Sequence, residues 1–379
     1  MAAPAADRGM VPATRVHVLL MIPTLAGGGA ERVFVTLARL LDRRLFQVSL
    51  AVFDLTGEQF RGDVPADVNL IVLNSPKVRF GLAAAVKVIR KLSPDLVVST
   101  LNHLNIALAV TRPLWPRHVR FIARPAIALS AELRLRAHPA VWRAMLRMSA
   151  RWTDLFILQS REMEEDLLSV TRLGRNRTRV IANPLDTARV RELASRGARA
   201  GGRPDAGCKL VAAGRLDEQK GFDLLLDAVA RLAKTTPLSL TILGEGPWRS
   251  VLQKQIERLG LRNAVSLPGH LVNPYAVFAQ SDLFVLSSRY EGFPNVVIEA
   301  LACGTPVAAT PLPGLAPLLD KIPGCRIARA ISADALADAI AGALAEPRPK
   351  ISDAALAAFD GCRSVQAYER TFLEVVEAG

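Results

Sequence analysis

Residues 16–41 read VHVLLMIPTLAGGGAERVFVTLARLL. The first seven positions form a short, mostly apolar run that stops at Pro23. Three glycines follow, Gly27, Gly28 and Gly29. Val33, Leu37, Leu40 and Leu41 then recur at the spacing of one helix face. Apolar run, glycine loop and amphipathic helix together predict the opening β-α unit of a doubly wound parallel sheet.

The pattern continues outward from this unit. Further apolar runs lie at 48–53, 70–73, 96–99, 119–123 and 155–158, with helical stretches between several of them. Strands alternating with helices predict a parallel α/β sheet. From residue 189 the composition changes to Ala, Gly and Arg without strand pattern, as in ARAGGRPDAG. Residues 189–208 are therefore expected to be a linker, with its approach near Asn183-Pro184. Apolar runs resume at 210–213, 238–243, 265–267, 283–286, 306–309 and 325–328. The expected organisation is a first α/β domain at 1–188, the linker, a second α/β domain at 209–362 and a terminal helix at 363–379. Two such domains leave a cleft between them.

The size fits this division. A chain of 379 residues with 50% hydrophobic composition is long enough for two cores. Its net charge of +13 is uneven. Residues 1–190 carry 27 lysines and arginines against 15 acids, and the remainder carries 21 against 20. That bias predicts an anionic partner for the first half. The four cysteines, at 208, 303, 325 and 362, form no C-x-x-C pair. They are read as small buried apolar residues in a reducing compartment. The start, MAAPAADRGMVPATR, lacks the continuous apolar core of a signal peptide, and no run of about 18 apolar residues spans a bilayer. Membrane association, if present, is expected to be peripheral.

The most informative chemistry lies at 289–306, RYEGFPNVVIEALACGTP. Glu291 falls in a loop after a predicted strand. Pro294 suits the first turn of a helix, which puts Glu299 about one turn into it. Carboxylates accept hydrogen bonds from sugar hydroxyls, and a helix start offers free N–H groups to a phosphate. A second segment, GRLDEQKG at 214–221, follows a strand and carries Arg215 and Lys220, two cations suited to a diphosphate. There is no D-x-D pair to hold a metal. No metal and no resident cofactor is expected.

The G-R-L-x-x-x-K-G loop, followed some 70 residues later by E-G-F-P-x-x-x-x-E-A-x-A-x-G-x-P-V, resembles the retaining glycosyltransferase family of GT-B fold. The GGGAER loop is similar to that of its bacterial polysaccharide and glycolipid members. The resemblance covers essentially the whole chain. It implies two Rossmann-like domains and transfer of a hexose or N-acetylhexosamine, with retention, from a UDP-sugar to a lipid-linked or cell-envelope glycan. It implies that Glu299 holds the ribose hydroxyls, Glu291 the donor sugar, and Arg215 and Lys220 the diphosphate. Gly292 and the backbone of Phe293, Pro294 and Asn295 would line the sugar-phosphate. Gly28 and Gly29 would approach the phosphates or acceptor, and Gly244, Gly246 and His270 would surround the base. Glu291 could act as sugar ligand or as nucleophile.

His103, in TLNHLN at a strand's carboxyl end, is expected near the reacting sugar and acceptor. Arg124 ends another strand and is expected at the acceptor or a phosphate, although this chain has Ala123-Arg124-Pro125 in place of the family's Glu-Arg pair. Residues 139–152 predict a helix with Arg143, Arg147 and Arg151 on one stripe and Trp142 and Trp152 beside it, which suits an anionic membrane surface. The expected location is cytoplasmic, peripheral on the inner face of the membrane. Two other functions fit parts of this pattern. A nucleotide-sugar epimerase shares the architecture. A nonenzymatic nucleic-acid-binding protein would explain the charge but not the glutamates, and no nucleic-acid partner is expected.

Overall fold

A computed structural model describes residues 14–26, 28–57, 60–134, 136–197, 207–356 and 361–378. The first half runs β1 (Val16–Ile22), α1 (Gly29–Leu40), β2 (Phe46–Val52), β3 (Asn69–Val72), α2 (Val78–Leu92), β4 (Leu96–Thr100) and α3 (Asn102–Thr111). It continues with β5 (Arg120–Arg124), α4 (Leu129–Arg134), α5 (Pro139–Arg151), β6 (Leu155–Leu158), α6 (Arg161–Thr171), β7 (Thr178–Val180) and α7 (Thr187–Gly197). The second half runs β8 (Cys208–Ala213), α8 (Phe222–Leu232), β9 (Leu238–Leu243), α9 (Arg249–Arg258), β10 (Val265–Gly269), α10 (Tyr275–Gln280), β11 (Leu283–Leu286) and α11 (Asn295–Ala302). It ends with β12 (Val307–Ala309), α12 (Ala316–Leu319), β13 (Arg326–Ile327), α13 (Ala333–Leu344), α14 (Asp353–Leu356) and α15 (Gly361–Glu377).

All strand pairs are parallel. The first sheet has the order β3-β2-β1-β4-β5-β6-β7 and the second β10-β9-β8-β11-β12-β13. Helices cover both faces of each sheet. That is why β1, β4 and β11 are nearly uninterrupted apolar runs rather than alternating ones. In each sheet the order reverses once, between β1 and β4 and between β8 and β11. Loops at the carboxyl ends of those four strands flank the crevice where ligands of such sheets bind. They are the loops that carry Gly28, His103, Gly214–Gly221 and Glu291.

One part of the expected organisation changes. Residues 189–197, expected within a linker, belong to α7, and Val190 and Ala194 are buried in the core of the second half. Its Arg and Glu side chains hide the amphipathic period, which rests on only a few small apolar residues. The glycine-rich stretch 198–206 lies outside the described residues, as do residues 1–13. The terminal helix α15 crosses back to the first half, where Val365, Tyr368 and Phe372 join the core beneath β1 and β2. Burying Phe372 fully contributes roughly 1.5–3 kcal/mol to that docking. Of the cysteines, Cys325 is buried, Cys208 and Cys303 are half-buried, and Cys362 is exposed rather than buried.

Candidate active site

The two halves meet through the switch-point loops. Gly292 comes so close to the first half that a Cβ placed on it would lie 2.0 Å from the Ala126 carbonyl oxygen. Only glycine permits that backbone approach. Next to it, α11 starts at Asn295 with Pro294 as its N-cap, one position earlier than the first-turn placement expected. The Asn295 amide donates to the Gly29 carbonyl at 3.3 Å, and the Asn183 amide donates to Asn295 Oδ1 at 2.6 Å. Gly29 and Asn295, both singled out in the sequence, therefore touch across the cleft.

The two glutamates are held by different cations. Glu291 Oε1 accepts from Lys220 Nζ at 2.6 Å and from the Ser288 hydroxyl at 2.8 Å, while Oε2 accepts from the Gln219 amide at 3.2 Å. Gly221 makes this possible. Its φ of +60° reverses the chain after Lys220, and a Cβ there would lie 2.1 Å from the Ser287 carbonyl oxygen. Glu299 is buried on α11 and accepts from Arg32 Nη1 of α1 at 2.7 Å. The same guanidinium donates to the Tyr275 hydroxyl and lies over the rings of Phe60 at 5.1 Å and Tyr275 at 5.6 Å. Burial opposes the charge on Arg32, but the Glu299 carboxylate and Tyr275 outweigh it and its pKa is raised. Burial and the same carboxylate push the Cys303 thiol up to about 12.

Arg215 and Lys220 do not act as a matched pair in this structure. Lys220 is turned onto Glu291, whereas Arg215 is largely exposed, 3.9 Å from Asp217. Arg215 does look across to α1, where its charge opposes the upward shift that burial gives Glu31. Glu31 folds back over the start of its own helix, within 2.2 Å of where a Gly28 Cβ would lie. The loops bearing Gly244, Gly246 and His270 pack on the Gly214 loop: Leu216 N–H donates to the Glu245 carbonyl at 2.9 Å, and Gly244 N–H to the Gly269 carbonyl at 2.8 Å. His270 is exposed, and its pKa is lowered by burial of one side and by Arg32.

His103 lies in the first turn of α3 after Leu101, a leucine held at φ +69°. It opens onto a cavity of about 430 Å³ in the first half. Protein on its inner side withdraws water and lowers its pKa; Arg136 adds to that shift and Glu132 opposes it. Arg124 departs from expectation. Its guanidinium is buried beneath α15 and donates to the Tyr368 hydroxyl at 3.1 Å, the Thr100 hydroxyl at 3.4 Å and Asn183 Oδ1. It therefore cannot reach an acceptor. Its work is to hold Asn183 against Asn295. The expected stripe on α5 is also interrupted. Arg147 donates to the Val170 carbonyl at 2.9 Å, and Trp142 turns inward under Arg136, 3.8 Å from ring centre to guanidinium. Arg143, Arg151, Val141, Met148 and Trp152 remain exposed. Among the described residues, no helix is long and apolar enough to cross a membrane.

The sequence pattern did not mark Arg32, Tyr275 or Asn183 as site residues. Arg32 stood inside the GGGAER motif, and its distance from Glu299 along the chain hid the pairing. Nothing local marks Tyr275 or Asn183.

Comparison with known proteins places this geometry. The model for glycosyl transferases group 1 matches residues 199–357, and that for glycosyltransferase family 4 matches residues 27–189. The N-acetylgalactosamine-N,N'-diacetylbacillosaminyl-diphospho-undecaprenol 4-alpha-N-acetylgalactosaminyltransferase of Campylobacter jejuni is 28% identical over 305 residues, which is 77% of this chain and 80% of that protein. Among solved structures, the sucrose-phosphate synthase of Thermosynechococcus elongatus superposes with a TM-score of 0.79 at 19% identity, covering 96% of this chain and 100% of that one. HepE of Anabaena, solved with UDP and glucose, gives 0.75 at 20% identity, covering 93% and 98%. At these identities the solved structures establish the shared fold. The two family matches, one in each half, establish the rest: the chain is a glycosyltransferase of GT-B fold, with a glycosyltransferase family 4 domain at residues 27–189 and a glycosyl transferases group 1 domain at residues 199–357.

Proposed function

We propose that the chain is a retaining hexosyltransferase that moves a hexose or N-acetylhexosamine from a UDP-sugar to a lipid-linked glycan of the cell envelope. The observation that carries this reading is the pair Glu291 and Glu299, set on a switch-point loop and the helix after it, each facing a cation at the junction of the halves. In the donor complex Glu299 takes the ribose hydroxyls and Glu291 the hydroxyls of the transferred sugar. Lys220, Arg215 and the N–H groups at the start of α11 stabilise charge developing on the departing diphosphate. Gly28 and Gly29 bring α1 close to those phosphates, and the Gly244–Gly246 and His270 loops hold the base. No step requires a metal ion or a resident cofactor.

The bond from the anomeric carbon to the diphosphate oxygen breaks on the same face on which the acceptor oxygen attaches. The acceptor proton passes to the departing phosphate. In this reading Glu291 serves as a sugar ligand rather than a nucleophile, with Lys220, Ser288 and Gln219 orienting its carboxylate. The name of the Campylobacter relative specifies a diphospho-undecaprenol substrate, and HepE was solved with UDP. Both favour a UDP-linked donor and a lipid-linked acceptor. Exposed Val141, Met148 and Trp152 beside Arg143 and Arg151 suit peripheral attachment to an anionic inner membrane face.

Thermal stabilisation by UDP, GDP and ADP, followed by product analysis with lipid-linked acceptors, tests the assignment. UDP alone is expected to stabilise, and product is expected to require an acceptor. Product formed without acceptor would indicate an epimerase. Failure to bind anionic vesicles at low salt would remove the membrane component.

A further inference from the structure

The cavity beside His103 is formed at the carboxyl ends of β1, β2, β3 and β4, by the loops that follow them and by the starts of α2 and α3. Its volume, about 430 Å³, falls in the range of small-molecule sites. Phe53, Leu82 and Ala107 supply apolar walls. Its charged lining is one-sided: among the described residues, Lys77 and Arg79 face it and no aspartate or glutamate does. Other cations along the cleft have acidic partners, Arg32 with Glu299, Lys220 with Glu291 and Arg289 with Asp223. Among the described residues, neither Lys77 nor Arg79 has one. Arg79 lies over the ring of Phe80, at 4.7 Å, and Phe80 itself is 67% exposed.

These cations also bracket the start of α2, a 15-residue helix with no side-chain cap. Its free N–H groups and positive dipole end add to the same field. A concave site with apolar walls, a histidine on one side and two unpaired cations on another selects a ligand that is part sugar and part anion.

We propose that this cavity seats the acceptor, and that Lys77 and Arg79 bind a phosphate carried beside its reacting sugar. The proposal rests on the transferase reading, and it names the acceptor's chemical class and the residues that select it. The hydroxyl to be glycosylated then lies on the His103 side, toward the cleft, with the phosphate on the α2 side. A phosphate in this position has two sources, a soluble sugar phosphate or the diphosphate link of a lipid carrier.

The test is calorimetric titration of the full chain and of K77A/R79A, with and without saturating UDP. The probes are N-acetylglucosamine 1-phosphate, octyl diphosphate and the neutral methyl glycoside of N-acetylglucosamine. Both substitutions are at exposed positions, so folding is expected to persist. At least one phosphorylated probe is expected to bind the wild type tenfold or more tightly than the neutral glycoside, and the double variant is expected to lose that preference. Preference for octyl diphosphate identifies the lipid source; preference for the sugar phosphate identifies the soluble one. Equal binding of all three probes, no binding of any, or a preference that survives in K77A/R79A overturns the proposal. If the wild type binds none of UDP, GDP and ADP, the donor reading fails separately, and the nucleotide-free titrations still decide the cavity.

Discussion

Arg32 of α1 donates to Glu299 of α11 at 2.7 Å, joining residues 267 positions apart across the cleft. The carboxylate that the family resemblance assigns to the donor ribose is thus already engaged by the opposite half. Donor binding must displace or share that cation. Arg32→Ala is expected to bind UDP about three- to tenfold more tightly, because the competing contact is gone. It is also expected to lower stability by roughly 3–5 kcal/mol, since the Glu299 carboxylate is left buried without its partner. Calorimetry and thermal melts measure both. Weaker UDP binding would instead make Arg32 a donor ligand.

Glu291→Gln keeps the shape of the carboxylate but ends its ion pair with Lys220. Turnover is expected to fall by about a hundredfold or more, as when a preorganised charge near the reacting atoms is removed. UDP affinity is expected to stay within a few-fold. Loss of UDP binding with turnover intact would contradict the assignment of Glu291 to the sugar.

Arg124→Leu separates a structural role from an acceptor role. The guanidinium is buried and holds Tyr368, Thr100 and Asn183. Its loss leaves buried acceptors unpaired and is expected to cost about 3 kcal/mol. Acceptor KM in the folded fraction is expected to change little. A stable variant with a raised acceptor KM would restore the sequence expectation.

Gly292→Ala places a methyl group where the Ala126 carbonyl now sits, 2.0 Å away. Neither backbone can yield cheaply, so the halves are expected to stand apart and kcat/KM to drop by about tenfold or more. The melting temperature is expected to hold, because each half keeps its own core. Wild-type kinetics would show that catalysis does not need this contact.

Stability is expected to fall as pH drops. His17, His103 and His270 all titrate below the ordinary histidine value of 6.5, with burial the largest cause for each. A histidine held neutral by the fold takes up its proton more readily when unfolded. The stability it contributes is present above 6.5 and is lost as pH falls toward its folded value. Melting temperatures from about pH 7.5 to about pH 5.5 should decline, and H103Q/H270Q should flatten the curve. A melting temperature that rises over that interval would refute the sign.

The two parallel sheets, most strand positions and the loops that matter were legible in the order of residues. Those features are local: the 16–22 run, the glycines after it, and the spacing of Glu291 and Glu299 each register within about 20 residues. β7, only three residues long, and α7, with its sparse apolar face, fell below that resolution. Which charges meet was settled in three dimensions. Lys220 faces Glu291 rather than joining Arg215, Arg32 reaches Glu299, and Arg124 turns into the core because α15 returns over the first sheet. Hydrophobic period depends on near neighbours, whereas ion pairing and burial depend on which loops two folded sheets bring together, and no spacing along the chain encodes that distance.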